Sequence, residues 1–257
     1  MRDDRPITLY CFAHAGAGVS AYTPWRTRTG RGVRIVPVAL PGRSSRTPRP
    51  TTRAALLDAL LAPLADEVAD HRPYALYGHS LGGIVAHTLA RALAARALPA
   101  PAFLAVGASP APHTLTLRTT TGTGADDHVL RFVADLGAAP EGVLAAPGSL
   151  WHRTVLPVLR DDLALAAALR EAALADEASA APLTVPVLAV GGQDDPVVPA
   201  AALDGWSRWT TGRLVRRTVP GDHFFVRGPH APRLIGRACR VARRMQFTPG
   251  LIPGGQQ

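Results

Sequence analysis

Gly78-His79-Ser80-Leu81-Gly82 sets a serine between two glycines, after a short apolar run and before a helical pattern. A serine hydroxyl is a poor nucleophile unless a base removes its proton and a third group holds that base in place. A sharp strand-to-helix turn can present the hydroxyl outward, and side chains flanking so tight a turn collide unless they are glycine. The helix that begins behind the serine offers the Leu81 amide and a partial positive charge to an oxyanion. In a chain with 24 glycines, Gly-x-Ser-x-Gly arises by chance roughly 0.07 times per chain. The motif gains weight from its strand-turn-helix setting and makes Ser80 the candidate nucleophile.

A base and its orienting acid have matching positions further along. In the α/β-hydrolase arrangement the order is Ser, acid, His. The run Val185 to Val190 leads into Gly191-Gly192-Gln193-Asp194-Asp195-Pro196, where a carboxylate can fix an imidazole tautomer and stabilise its charged form. Two adjacent aspartates compete for that role, and the one left over is a turn former. His223, in Val219-Pro220-Gly221-Asp222-His223-Phe224-Phe225, follows a strand and precedes the last helix, where this arrangement needs its base. The chain has 9 histidines; His71, His87, His113, His128, His152 and His230 lack such a setting and read as surface or helix residues. His79, inside the elbow, reads as structural. A second oxyanion donor is expected after the first strand. Phe12-Ala13-His14-Ala15-Gly16-Ala17-Gly18 is small and glycine-rich, as backbone donors require. It lacks the Lys-Ser/Thr of a phosphate loop, so the Ala15 amide is the candidate.

The elements that would position these groups alternate. Strands are expected at Ile7 to Phe12, Val33 to Leu40, Tyr74 to Tyr77, Ala102 to Val106, Val185 to Val190 and Leu214 to Val219. Helices are expected at Thr51 to Asp70 (capped by Thr51 or Thr52), Gly83 to Leu98, Pro199 to Trp209 and Pro229 to Met245. Such alternation makes a mostly parallel sheet flanked by helices. Between about 110 and 181 no strand-like run occurs, only helical pieces such as Asp126 to Leu136 and Asp161 to Ala178. So long a connection reads as an inserted helical lid. With 257 residues, 47% of them hydrophobic, one α/β domain over 1–248 suffices, followed by a disordered tail at 249–257.

The formal charge is +9, with all 28 basic side chains arginine. They are scattered and not interleaved with aromatics, so nucleic acid is not an expected partner. Cys11 and Cys239 lack metal-ligand spacing and suit buried thiols of a cytoplasmic protein. No apolar run is long enough for a membrane span or a signal peptide.

Five segments together resemble the type II thioesterases, stand-alone editing enzymes of polyketide and nonribosomal peptide synthesis. They are Cys11-Phe12-Ala13-His14-Ala15-Gly16, Leu40-Pro41-Gly42-Arg43, Tyr77-Gly78-His79-Ser80-Leu81-Gly82-Gly83, Leu156-Pro157-Val158-Leu159-Arg160-Asp161-Asp162 and Gly221-Asp222-His223-Phe224-Phe225. They occur in family order from about Leu9 to Arg227. The elbow is shared by many esterases; Leu-Pro-Gly-Arg, Leu-Arg-x-Asp and Gly-Asp-His-Phe-Phe are more specific. The first segment departs from the family, with Ala13 for a proline and Ala17 for a glycine. Asp195-Pro196-Val197-Val198-Pro199 is similar to the Asp-x-x-Val-Pro setting of the acid in relatives, which selects Asp195. The resemblance implies a monomer that hydrolyses acyl groups from the phosphopantetheine arm of an acyl or peptidyl carrier protein, without metal or cofactor. Two other readings are a carboxylesterase or lipase acting on oxygen esters, and a non-catalytic hydrolase-fold binding protein. The second would tolerate loss of Ser80, Asp195 or His223, all of which are present.

Overall fold

A computed structural model describes residues 5–42, 48–70, 72–114, 125–137, 142 and 146–246. Arg43 of the Leu-Pro-Gly-Arg segment, His71 and the 249–257 tail lie outside the described residues. Among the described residues six strands, β1 (Ile7–Phe12), β2 (Val33–Val38), β3 (Tyr74–His79), β4 (Leu104–Gly107), β5 (Val187–Gly192) and β6 (Leu214–Val219), form one sheet in the order β2-β1-β3-β4-β5-β6. Every described pairing is parallel. Helices α1 (Trp25–Arg28), α2 (Arg53–Val68), α3 (Leu81–Ala95), α4 (Ala125–Asp135), α5 (Leu150–Thr154), α6 (Leu156–Ala175) and α7 (His230–Gln246) accompany it, and Ala200–Trp209 is a 3-10 helix.

The central strands are wholly buried, which is why their sequences are apolar throughout instead of alternating. Their side chains still alternate between two cores. Tyr10, Phe12, Tyr74 and Leu76 pack with α2, α3 and α6 on one face. Leu9, Cys11, Ala75 and Tyr77 pack with Trp25 of α1 and with Ile235 and Cys239 of α7 on the other. A third, small cluster joins Val129 and Val133 of α4 to Leu156 of α6. The segment expected as a lid therefore divides: α6 contributes Leu165, Leu169 and Ala173 to the main core, whereas α4 rests on the small cluster.

Several boundaries move from the sequence expectation. Helix α6 starts at Leu156, five residues early, because Pro157 lies in its first turn, where a missing N–H costs nothing. Helix α3 starts at Leu81 because the turn at Ser80 leads straight into it. Strand β5 runs two residues later than expected, since Gly191 and Gly192 pair with Thr218 and Val219. Thr52 is the α2 cap, its hydroxyl accepting from the Ala55 amide at 3.2 Å.

The topology locates a crevice. From β1 the chain passes to β2 on one side, then returns to place β3 on the other. The loops leaving the carboxyl ends of β1 and β3 diverge there, and open α/β sheets bind ligands at such switch points. The β1 loop carries His14 to Gly18, and the β3 turn carries Ser80.

His87, expected as a surface or helix residue, lies in helix α3 and is wholly buried there, with ring centroids 5.3 Å from both Trp206 and Trp209. Neither ring nitrogen has a hydrogen-bond partner among the described residues. Burial, then the charges of Arg91 and Arg170, push its pKa down to about 3. The unfolded chain binds a proton near pH 6.5 that the folded chain refuses, so stability falls as pH drops from about 6.5 toward 3. Between pH 7 and pH 5, His87 should cost about 2 kcal/mol of folding free energy. A His87→Leu variant should lose that much less than the parent over this range in urea denaturation. Parallel pH slopes for the two proteins would show that the imidazole is not held neutral.

Candidate active site

The turn at Ser80 is made possible by the absence of side chains around it. Ser80 has φ 53 and ψ −116, a left-handed conformation that a non-glycine residue adopts only where the surroundings impose it. Its amide donates to Gly107 O at 2.8 Å, and its carbonyl accepts from the Gly83 amide at 2.9 Å. A Cβ on Gly78 would lie 1.8 Å from Gly82 O, and one on Gly82 would lie 2.0 Å from Phe12 O. The elbow glycines thus let β3, α3 and the end of β1 meet at backbone contact. Leu81 is the first residue of α3, so its amide has no intrahelical carbonyl to bond.

Asp195 and His223 meet across the loops that follow β5 and β6. His223 Nδ1 lies 2.9 Å from Asp195 Oδ2, both side chains being almost fully buried. The other carboxylate oxygen, Oδ1, accepts from the Val197 and Val198 amides at 2.9 and 3.0 Å. Burial alone would raise the Asp195 pKa. The hydrogen bond and charge of His223, with the two amides, outweigh burial and hold it below the usual carboxylate value. Asp194 is exposed and lends its amide to Gly221 O at 3.0 Å, stitching the two loops together.

His79 bears on this pair through the backbone. Its Nε2 is 2.7 Å from the His223 carbonyl, which only accepts, so Nε2 carries the hydrogen. Nδ1 is then left to accept from the Tyr77 hydroxyl at 3.1 Å. Burial, followed by the charges of His14 and His223, drives the His79 pKa well below the ordinary histidine value, which keeps this tautomer neutral.

Ser80, Leu81 and His223 line one cavity of about 30 Å³, with Phe132 of α4, Leu163, Ala166 and Arg170 of α6 over it. Of the sequence candidates, Ser80, Leu81 and His223 converge here, and Asp195 backs His223. Ala15 is not among the lining residues; it lies in the β1 loop at the same end of the sheet. Sequence reasoning missed Phe132 and Arg170, whose segments carry no motif pointing to a cavity. Arg170 is buried, and one guanidinium nitrogen donates to Pro110 O and Ala111 O, each at 3.0 Å. Burial pulls its pKa down to about 10.

Fold and crevice define an α/β-hydrolase architecture. The chain matches the thioesterase domain over residues 7–240 and belongs to the thioesterase family, whose members hydrolyse thioester bonds. RedJ, a thioesterase of the prodiginine pathway in Streptomyces coelicolor, is 34% identical and superposes with a TM-score of 0.76, covering 92% of this chain and 90% of its own. GrsT, a gramicidin S biosynthesis protein of Aneurinibacillus migulanus, is 27% identical over 86% of this chain and 83% of its own. BorB, the type II thioesterase of the borrelidin cluster, is 26% identical, with a TM-score of 0.68 over 95% and 97% of the two chains.

The geometry separates the two adjacent aspartates sharply. Asp195→Asn should lower thioesterase kcat by about 10³- to 10⁴-fold, by presenting the wrong hydrogen-bond partner to the imidazole. Asp194→Asn should stay within about twofold, as surface substitutions generally do. Steady-state hydrolysis of an acyl thioester by the two variants checks this, and equal losses would refute the assignment of Asp195.

Proposed function

We propose that this protein removes acyl groups from the phosphopantetheine arm of acyl or peptidyl carrier proteins, clearing stalled or misprimed chains in polyketide or nonribosomal peptide synthesis. The observation that carries the reading is the Asp195–His223 pair opening onto the cavity of Ser80. His223 takes the Ser80 proton as Oγ bonds to the thioester carbonyl carbon. The Leu81 and Ala15 amides receive the developing oxyanion. The carbon–sulfur bond breaks, and the departing sulfur takes the proton from His223. Water, deprotonated by His223, then attacks the acyl-enzyme, and the acid and free Ser80 are released. Asp195 holds the imidazole through Nδ1 and stabilises its charged form.

The cavity, at about 30 Å³, is far smaller than the ~300–1,000 Å³ of ordinary ligand sites, so the acyl chain needs room that the covering helices must yield. Helix α4 is the part that moves: it covers the site through Phe132 and sits on the small Val129–Val133–Leu156 cluster. On this reading α4 is the lid of a single domain spanning 1–248. The enzyme acts in the cytoplasm as a monomer, and its +9 charge favours docking of acidic carriers.

Purified protein and Ser80→Ala would be incubated with short- and medium-chain acyl carriers and with matched oxygen esters. Intact-protein mass spectrometry would follow loss of the acyl group. Ser80-dependent deacylation of carriers should outpace ester hydrolysis and slow as salt rises. Rapid ester turnover with inert carriers would leave a general esterase instead. A second variant tests the cover. Phe132→Ala should shift preference toward longer acyl chains by several-fold in kcat/KM, and an unchanged chain-length profile would place the acyl chain elsewhere.

A further inference from the structure

The Leu159-Arg160-Asp161-Asp162 segment, among the most specific of the sequence motifs, has no part in the reaction described so far. Two of its three named positions, Leu159 and Asp162, join α6 to the loop after β1, and the third, Arg160, joins α6 to α4. Asp162 is 5% exposed, and its Oδ2 accepts from the Gly16 amide at 2.7 Å, a charge-assisted bond. Leu159 lies over the same residue, where a Cβ on Gly16 would come within 2.9 Å of its Cδ2. Arg160 reaches Asp126 of α4, with Nε–Oδ1 at 2.8 Å.

On the loop side, one peptide group is held at both ends. The carbonyl of Ala15 and the N–H of Gly16 belong to the same plane. His14 Nδ1 lies 2.9 Å from Ala15 O and donates to it, while Asp162 takes the N–H of Gly16. The neighbouring His14–Ala15 peptide is set by the turn: the Ala17 amide donates to His14 O at 3.1 Å. Gly16 has φ 77, the value this turn requires at its third position. In a trans peptide the N–H points opposite to the C=O. With His14 O committed inward to the turn, the Ala15 N–H is directed out of it.

We infer that Asp162 is a positioning residue for the oxyanion donor: from α6 it fixes the Ala15–Gly16 peptide, and through it the direction of the Ala15 N–H. The inference rests on the proposed reading of Ala15 as a donor and gives the Leu-Arg-x-Asp segment a role. Without the carboxylate, the Gly16 N–H turns to water and the peptide plane is held at one end only, through the Ala15 carbonyl. The Ala15 N–H then no longer lies preorganised where negative charge develops. The loss falls on the transition state and not on ground-state binding of the thioester.

The test compares Asp162→Ala and Asp162→Asn with the parent enzyme. Asp162→Ala should lose ~10- to 100-fold in kcat with KM nearly unchanged. Affinity for an alkyl trifluoromethyl ketone, which adds to Ser80 and generates an oxyanion, should fall by the same factor. Asp162→Asn keeps an acceptor oxygen without the charge and should fall between the two, so it carries the test if the alanine variant does not fold. A rise in KM at unchanged kcat would overturn the inference, as would lost kcat with undiminished ketone affinity. Ser80→Ala run alongside separates the failures. If it remains active, the site itself is misassigned; if it is dead while both Asp162 variants match the parent, only this inference fails.

Discussion

Everything at this site depends on three backbone segments touching where side chains would forbid it. The end of β1, the turn after β3 and the start of α3 meet at Gly78 and Gly82, where any Cβ would fall about 2 Å from a carbonyl oxygen. That contact imposes the positive φ of Ser80, a conformation costing of order 1–3 kcal/mol. The cost is met by burial around it: Phe12, Leu81 and Ile84 are within the core, and each fully buried large aliphatic or aromatic side chain contributes roughly 1.5–3 kcal/mol. Strain is concentrated at the residue whose hydroxyl must project, and the surrounding sheet supplies the rigidity that keeps it there.

From that fixed point the other groups are placed by backbone more than by side chains. The β5 and β6 loops are joined by the Gln193 and Asp194 amides bonding to Val219 O and Gly221 O. Gly192 admits the Asp222 carbonyl to a distance no larger residue would allow. His79, one residue before Ser80, grips the His223 carbonyl, so the elbow and the imidazole loop share a hydrogen bond. A neutral imidazole suits this role, because a second cation beside His223 would oppose its protonation. The elbow histidine is therefore a strut between two parts of the site.

The sequence exposed this site unevenly, for physical reasons. Ser80 was legible because a strained elbow demands glycines at fixed spacing, and spacing is what a sequence displays. The four central strands, β1, β3, β4 and β5, were legible because strands covered on both faces need continuous apolar runs, whereas the edge strands β2 and β6 carry exposed arginines. Asp195 and Asp194 were hard to separate, since their neighbours are the same and only the fold shows which one turns toward His223. Arg170, Phe132 and the Asp162–Gly16 bond were invisible as site features. Each depends on a helix lying across loops distant in sequence: Gly16 and Asp162 are 146 positions apart. His87 was read as a surface or helix residue, and its depth shows only in the fold, where α3 is enclosed on nearly all sides.

Two of the helices between β4 and β5, α4 and α6, differ in standing, and the proposed reaction needs both. Helix α6 is anchored by core residues and presents Asp162 and Arg170 from a position it cannot readily leave. Helix α4 buries only Val129 and Val133 in its small cluster and is tied to α6 by the exposed Arg160–Asp126 pair. Exposed ion pairs contribute about 0–1 kcal/mol, so the cover is held mainly by a few apolar side chains. Such an element opens locally at far less cost than the domain unfolds. The arrangement lets the cover move for an acyl chain while the oxyanion loop stays fastened to the helix beneath. Had Asp162 been carried by α4, each opening would have released the Gly16 amide and disordered the donor that the chemistry requires.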